Sequence, residues 1–423
     1  MHHAIIQKSF LNGTVLVPPS KSFSHRAIIC AALSGKESFI SPIIFSQDIL
    51  ATIGGMKNLG AEIEIFENGV KIKDFKKPSK KVFVDCFDSG STLRFLIPVA
   101  AALGIETIFK RSESLAKRPI EDLLNALEKA EVKWEENDDF SLKISGKLNS
   151  GEFSLPGNVS SQFVSGLLMA LPMLDGNSTI KLTSKLESAA YVEITTEVMK
   201  KFGVLTEKIQ DGFFVKGNQR YKSFYYNVEG DWSQAAFFMA MGALGGSVGI
   251  KGLNKNSCQA DKMIFNFLEN FGADISWNED EIKVNKSKLR AINIDAAEVP
   301  DLVPVLAVLA ADAEGETTIK NVRRLRLKEC DRLSAISEEL SKIGVKIKFS
   351  ENELKITGGK NYLGCEVFSH NDHRIAMAMA VMASRTEGSM TILNSDCVKK
   401  SYPDFFKDYC LLGGIVDVFD VGK

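Results

Sequence analysis

The chain has 423 residues, beyond the size at which one hydrophobic core keeps growing, so two domains are the expectation. Hydrophobic residues make up 45% and charged residues 25%, which excludes a disordered or collagen-like chain. A formal net charge of −1 argues against nucleic acid or an anionic membrane as partner. Seven cysteines without a pairing pattern fit reduced thiols and a cytoplasmic setting. Residues 1–16 lack a basic region followed by a long apolar run, so no secretory signal is expected. No uncharged apolar stretch approaches the ~20 residues that span a bilayer.

Along the chain one signature recurs: a helical pattern closes on an apolar residue and a glycine, and a strand follows. It reads Leu59-Gly60-Ala61-Glu62-Ile63, Phe202-Gly203-Val204, Phe271-Gly272-Ala273-Asp274-Ile275, Ile343-Gly344-Val345-Lys346-Ile347 and Leu412-Gly413-Gly414. A weaker copy, Lys129-Ala130-Glu131-Val132, fills the one long gap. Glycine ends helices because it takes the left-handed conformation at least cost. A second element keeps the same period. Polar, cap-like positions fall at Lys21, Ser91, Ser161, Asp231, Asp301 and Asn371, a constant step of 70 residues.

These positions open Ala-, Leu- and Met-rich helices that include 27–33, 93–103, 163–174, 235–244, 302–311 and 375–383. They are apolar nearly all round and are expected inside their domains. The second helix of each unit is amphipathic, as in Glu121-Asp122-Leu123-Leu124-Asn125-Ala126-Leu127, and belongs on the outside. Short runs such as Val82-Phe83-Val84 and the alternating Glu281-Ile282-Lys283-Val284-Asn285 supply strands. The chain therefore reads as six α/β modules of about 70 residues, three to a domain. Crossings between domains are expected near residues 17–20 and 227–231.

The N-termini of buried helices offer free N–H groups to phosphate or carboxylate. Around them stand Lys21, Arg26, Arg94, Arg332, Arg374 and Lys400, with Arg118 just before Pro119 at another helix start. One basic residue in a first turn is as often a solvated charge as a ligand group. So many in a protein without net positive charge point to a substrate with several negative groups. His25 and His373 read as structural groups.

Other motifs are thin. There is no GxxxxGK[ST] loop, and Gly245-Gly246-Ser247-Val248-Gly249 does not match the dinucleotide fingerprint. His370 and His373 could share a helix face, but no cysteine or carboxylate set completes a zinc site with them. Ser114-Leu115-Ala116-Lys117 matches SxxK without its companion motifs, which leaves a Ser/Lys acyl hydrolase as a remote alternative. A non-catalytic anion-binding protein is another, and it would need no carboxylates.

Pro19-Ser20-Lys21-Ser22-Phe23-Ser24-His25-Arg26-Ala27 resembles the PxSKSxSxR signature of the EPSP synthases, a family of enolpyruvyl transferases. Asp88-Ser89-Gly90-Ser91-Thr92-Leu93-Arg94 resembles that family's N-x-G-T-x-x-R loop. Lys117-Arg118-Pro119-Ile120, Gly157-Asn158-Val159-Ser160-Ser161-Gln162-Phe163 and Glu229-Gly230-Asp231 are similar to further family motifs. The most specific are Lys328-Glu329-Cys330-Asp331-Arg332-Leu333 and Asn371-Asp372-His373-Arg374-Ile375-Ala376-Met377. The motifs run in order through most of the chain.

The resemblance implies a two-domain, inverted α/β barrel-like fold of six βαβαββ repeats. Residues 1–18 with 230–423 would form one domain and 19–229 the other, with the active site in the cleft between them. It implies transfer of the enolpyruvyl group of phosphoenolpyruvate to the 5-hydroxyl of 3-phosphoshikimate, in the shikimate pathway. The shikimate phosphate would lie near Ser160, Ser161 and Ser188. The ring and its carboxylate would meet Lys21, Ser22, Arg26, Gln162, Tyr191, Asp301 and Lys328. Phosphoenolpyruvate would be held by Lys21, Gly90, Arg118, Gln162, Arg332, Arg374 and Lys400. Lys21, Asp301 and Glu329 would be catalytic. No cofactor and no metal are implied, and the enzyme would act as a monomer.

Three departures stand out. Asp88 replaces a usual Asn, Arg324 stands where Asn is common and could compensate that charge, and Phe95 replaces a frequent Pro. The sister enzyme acting on UDP-N-acetylglucosamine is the nearest alternative, but it pairs Lys with Asn where this chain has Lys21-Ser22. It also carries a Cys or Asp before the Arg-Pro motif, and residues 105–122 contain no Cys.

Overall fold

A helix that hands over to a strand within two to five residues needs a backbone kink of positive φ. Gly60, Gly203, Gly272, Gly344 and Gly413 supply it, with φ between 78 and 120°. In the second module Glu131 takes that place, with φ 70°, one residue beyond the Ala130 that the spacing selects. No glycine marks the kink there. The Glu131 N–H instead bonds the Glu128 carbonyl (3.0 Å), and Asn149 Nδ2 donates to its carboxylate (2.8 Å).

The chain is a computed structural model that describes residues 2–359 and 361–420. Its strands form four-stranded sheets of one design. In one, Val82–Asp85 runs parallel to Thr107–Lys110, which pairs antiparallel with Leu142–Ser145 and that with Lys133–Glu136. Helix Gly90–Leu103 lies between the first two strands in sequence, and helix Glu121–Glu128 follows the second. The module is thus βαβαββ. Six sheets repeat this order.

Two modules exchange their first strands. Leu11–Leu16 precedes helix Lys21–Ser34 but pairs with Gly246–Lys251, while Tyr225–Asn227 precedes helix Trp232–Gly245 but pairs with Ser38–Ser41. His2–Gln7 completes the last sheet, between Ser389–Leu393 and Ile415–Asp420. The chain accordingly divides into two compact units, Met1–Pro18 with Gly230–Lys423, and Pro19–Glu229.

The first helix of each module is the core. Trp232–Gly245 is buried along its whole length, and Val303–Asp312 along all but its last residue. Helix Glu121–Glu128 buries only Leu123, Leu124, Ala126 and Leu127, and each such leucine removed from water contributes ~2 kcal/mol. In unit 19–229 the core helices come very close. A Cβ on Gly166 would lie 2.3 Å from the Arg94 carbonyl oxygen, so only glycine lets these two helices approach. Among the described residues no helix is long and apolar enough to cross a membrane. Among the described residues no disulfide joins any of the seven cysteines.

Candidate active site

In unit 19–229 most of the side chains singled out in the sequence stand near the N-terminal ends of the three buried helices. Lys21 opens helix Lys21–Ser34 and pairs with Asp48 at 2.7 Å. One turn on, Arg26 is buried. It donates to the Thr195 hydroxyl (2.6 Å), the Ser22 carbonyl (2.9 Å) and the Tyr191 carbonyl (3.0 Å), with its guanidinium 4.8 Å from the Phe95 ring. Phe95, the departure from proline, is thus the floor on which Arg26 rests.

A buried hydroxyl chain ties these helices together. His25 Nδ1 meets Thr52 (2.7 Å), Thr52 meets Thr92 (2.7 Å), and Thr92 meets Ser89 (2.7 Å). Burial, with Lys21 and Arg26 adding repulsion, holds His25 well below the ordinary histidine value. It is a neutral strut, as its apolar surroundings require.

Ser89 caps helix Gly90–Leu103, and Ser160 caps helix Ser161–Ala170 through the Gln162 N–H (3.3 Å). Arg94 donates to the Gln162 side-chain oxygen (2.9 Å) and the Pro119 carbonyl (2.8 Å), while the Gln162 amide donates to Ser91 (2.9 Å). A Cβ on Gly90 would lie 2.9 Å from NH1 of both Arg94 and Arg118, so glycine leaves room for two guanidinium groups. Arg118 Nε is buried and has no hydrogen-bond partner among the described residues. Ser188, buried with φ 54°, precedes helix Ala189–Lys201, and its carbonyl accepts the Tyr191 N–H (3.1 Å). Asp88 accepts a hydrogen bond from Ser112, a partner in its own unit, whereas Arg324 NH2 donates to the Ala297 carbonyl (2.8 Å).

In the other unit Arg332 is the hub. Its side chain, 1% exposed, bonds Asp372 through Nε (2.6 Å), Asp301 through NH1 (2.7 Å) and Glu329 through NH2 (2.5 Å). Lys328 (3.2 Å) and Arg374 (3.5 Å) pair with the same Asp301. Three cations therefore balance three carboxylates. Burial opposes the charge on Arg332, but Asp372, Glu329 and Asp301 more than offset it, and its pKa lies above the ordinary arginine value. Burial, reinforced by Arg332 and Arg324, pulls Lys328 below the ordinary lysine value despite Asp301 and Glu329. Lys400 donates to the Asn371 carbonyl (2.7 Å) beside this cluster's Asp372.

Asp301 lies in a single 3-10 turn, Pro300–Leu302, just before its helix, and Asp372, not Asn371, caps helix His373–Ala383. Of the sequence-derived residues, Lys328, Glu329, Arg332, Arg374 and Asp301 share one ion-pair net. Sequence reasoning missed Asp372 as the anchor of Arg332, Asp48 as the partner of Lys21, and Asp261. The last is buried, accepts from Ser233, and is pushed up to about 7 by burial and by Asp301. The only available signal was the acidic residue near a helix start, which reads equally well as a cap.

Two sequence alternatives fall away. His370 sits before the helix with φ 51° and bonds Glu339 (2.7 Å), so it shares no helix face with His373. Glu338, Glu339 and His370 do gather, but Lys342 already lies 2.9 Å from Glu339 and 3.2 Å from Glu338. Ser114 lies inside the four-residue helix Glu113–Ala116, and Lys117, which ends it, pairs with Glu113 (2.6 Å).

Comparison with known proteins adds the family. A model of EPSP synthase (3-phosphoshikimate 1-carboxyvinyltransferase) matches residues 5–409. The chain is 47% identical to a 3-phosphoshikimate 1-carboxyvinyltransferase of Clostridium novyi, with both chains covered completely. It is 42% identical to one of Clostridioides difficile over 99% of each. In fold it is similar to EPSP synthase from Acinetobacter baumannii (TM-score 0.84, 24% identity, 99% of this chain and 100% of that). It is also similar to the enolpyruvyl transferase NikO from Streptomyces tendae (TM-score 0.82, 16% identity, 100% and 99%). Full-length identity of this order, on a scaffold of six βαβαββ modules with the motif residues gathered at helix ends, means that the chain belongs to the EPSP synthase family.

Proposed function

We propose that the protein transfers the enolpyruvyl group of phosphoenolpyruvate to the 5-hydroxyl of 3-phosphoshikimate and releases phosphate, acting as a cytoplasmic monomer. The observation that carries this reading is the Arg332 net, in which two partly exposed carboxylates, Asp301 and Glu329, share cations with a fully buried one, Asp372. A net of this kind can both hold an anion and move protons.

The reaction is an addition followed by an elimination. Asp301, beside Lys328, takes the proton of the 5-hydroxyl as that oxygen attacks C2, and Glu329 gives a proton to C3. The tetrahedral adduct then loses phosphate from C2 and a proton from C3, which returns to Glu329. Lys21 assists. Arg118, Arg332, Arg374 and Lys400, with Gly90 and Gln162, hold phosphoenolpyruvate. Ser160, Ser161 and Ser188 hold the phosphate of 3-phosphoshikimate, and Ser22, Arg26, Gln162, Tyr191 and Lys328 meet its ring and carboxylate. An anion arriving at Arg332 competes with Glu329, which is 19% exposed, and not with Asp372, which is fully buried. Binding therefore releases the carboxylate that the chemistry needs. Fixed cations placed where charge develops supply the main stabilisation.

Phosphate release with phosphoenolpyruvate should occur with 3-phosphoshikimate, not with UDP-N-acetylglucosamine, and excess chelator should leave the rate unchanged. Turnover with the nucleotide sugar alone would overturn the assignment.

A further inference from the structure

The turn that delivers Asp372 to Arg332 is built from unfavourable parts. His370 and Asn371 both have left-handed backbone, φ 51 and 55°, and neither is glycine. Such residues persist only where their surroundings hold them. The holding group is Glu339, on helix Arg332–Lys342, with a fully buried side chain. One of its oxygens accepts the Phe368 N–H (3.0 Å) and the other bonds His370 Nε2 (2.7 Å). Lys342, 2.9 Å from both oxygens, balances its charge.

From that anchored segment the turn runs directly to the site. Ser369 Oγ accepts the Asn371 N–H (3.2 Å), the Asn371 carbonyl accepts Lys400 (2.7 Å), and Asp372 accepts Arg332 Nε (2.6 Å). Arg332 and Glu339 are seven residues apart on one helix, about two turns, and so lie on the same face. The helix thus grips the turn at both ends, through Asp372 at one and through Phe368 and His370 at the other. Burying a carboxylate is costly, and an apolar residue would fill the volume more cheaply. What a carboxylate adds here is two acceptors aimed at a turn that would otherwise relax.

We propose that Glu339 is a positioning residue: through His370 and the Phe368 backbone it fixes the turn at residues 369–372, and with it the placement of Asp372 on Arg332 and of Lys400. This rests on the reading that Arg332 and Lys400 hold phosphoenolpyruvate. The test is steady-state phosphate release by the full chain with each substrate varied in turn. Glu339→Ala and His370→Ala should each raise KM for phosphoenolpyruvate by about tenfold or more while KM for 3-phosphoshikimate stays within about twofold. Glu339→Gln, which can still accept from Phe368 and donate to His370, should recover to within about threefold of the wild type. Leu340→Ala, a buried cavity on the same helix, should lower the melting temperature and leave both KM values alone. If Glu339→Ala does not fold, His370→Ala, whose side chain is 23% exposed, carries the test alone. A KM for phosphoenolpyruvate that is unchanged in the folded variants, or a Gln variant as impaired as the Ala one, overturns the proposal. An inactive wild type would instead sink the assigned reaction.

Discussion

Asp261 makes a carboxylate-by-carboxylate test of the buried charge in unit 1–18 with 230–423. It lies in the turn Ala260–Lys262, 3% exposed, with one oxygen accepting from Ser233 and the other without a partner among the described residues. Burial first, then repulsion from Asp301, raises it from 3.8 to about 7, against the pull of Arg374. A folded-state pKa above the unfolded one means that the folded chain binds the extra proton. Its stabilising contribution is therefore complete below the unfolded value and is lost as pH rises through about 7. At ~1.4 kcal/mol for each of about three units, the loss reaches ~4 kcal/mol, or ~2 if the site relaxes around the charge. Asp261→Asn is neutral at every pH and should escape it.

Urea unfolding from pH 5 to 8.5 reads this difference. The variant should already lead at pH 5, where roughly a third of the loss has accrued, and the lead should widen until its midpoint lies about 1 M higher at pH 8.5. Other groups also titrate. Asp408 is raised by burial and runs in the same sense, whereas His25, held neutral, adds stability as pH rises towards the ordinary histidine value. Both are common to the two proteins, so the difference curve isolates Asp261. Parallel curves, or a variant less stable at pH 8.5, would refute the reasoning.

Two further predictions concern catalysis. Glu329→Gln leaves Arg332 with Asp372 and Asp301, so stability should change by less than ~1 kcal/mol while turnover falls by ~10²–10⁴. In heavy water the wild type should place deuterium at the vinyl carbon of recovered phosphoenolpyruvate, and exchange by the variant at the same rate would remove Glu329 from the proton path. Gly90→Ala should push the Arg94 and Arg118 guanidinium groups back by a few tenths of an ångström and raise KM for phosphoenolpyruvate about tenfold. A rise confined to 3-phosphoshikimate would contradict the placement of Arg118.

The modules were legible because their punctuation is local. A glycine that must be left-handed and a polar cap before an apolar helix each leave a mark within a few residues, and 70-residue spacing does the rest. The second module showed only as a weaker copy, placed one residue early at Ala130, because a non-glycine residue, Glu131, makes the same kink. The cations were legible as a set, and the family motifs singled out Asp301 and Glu329, but Asp48 and Asp372, which hold Lys21 and Arg332, were not read. Asp48 meets Lys21 from 27 residues away and Asp372 meets Arg332 from 40, and in sequence both look like ordinary helix-start acids. Glu339 gave still less, since nothing in a helix pattern distinguishes a buried glutamate aimed at a turn from one facing water. The strand exchange is equally invisible, because Leu11–Leu16 has the same pattern whichever sheet it joins.

That exchange has a consequence during synthesis. The Ser20 N–H bonds the Glu229 carbonyl (2.7 Å), and Tyr225–Asn227 returns to pair with Ser38–Ser41, so the inserted unit closes on itself as soon as it is made. The unit that hosts it cannot. Leu11–Leu16 waits for Gly246–Lys251, and His2–Gln7 waits for Ser389–Leu393 and Ile415–Asp420. At ~5–20 residues per second, the opening strands emerge from the ribosome tens of seconds before their partners. Ala4 and Ile6, fully buried in the finished sheet, are apolar and unpaired throughout that interval. Residues 2–16 are thus among the last to fold, and the growing chain carries an unpaired strand until residues 389–420 have been made.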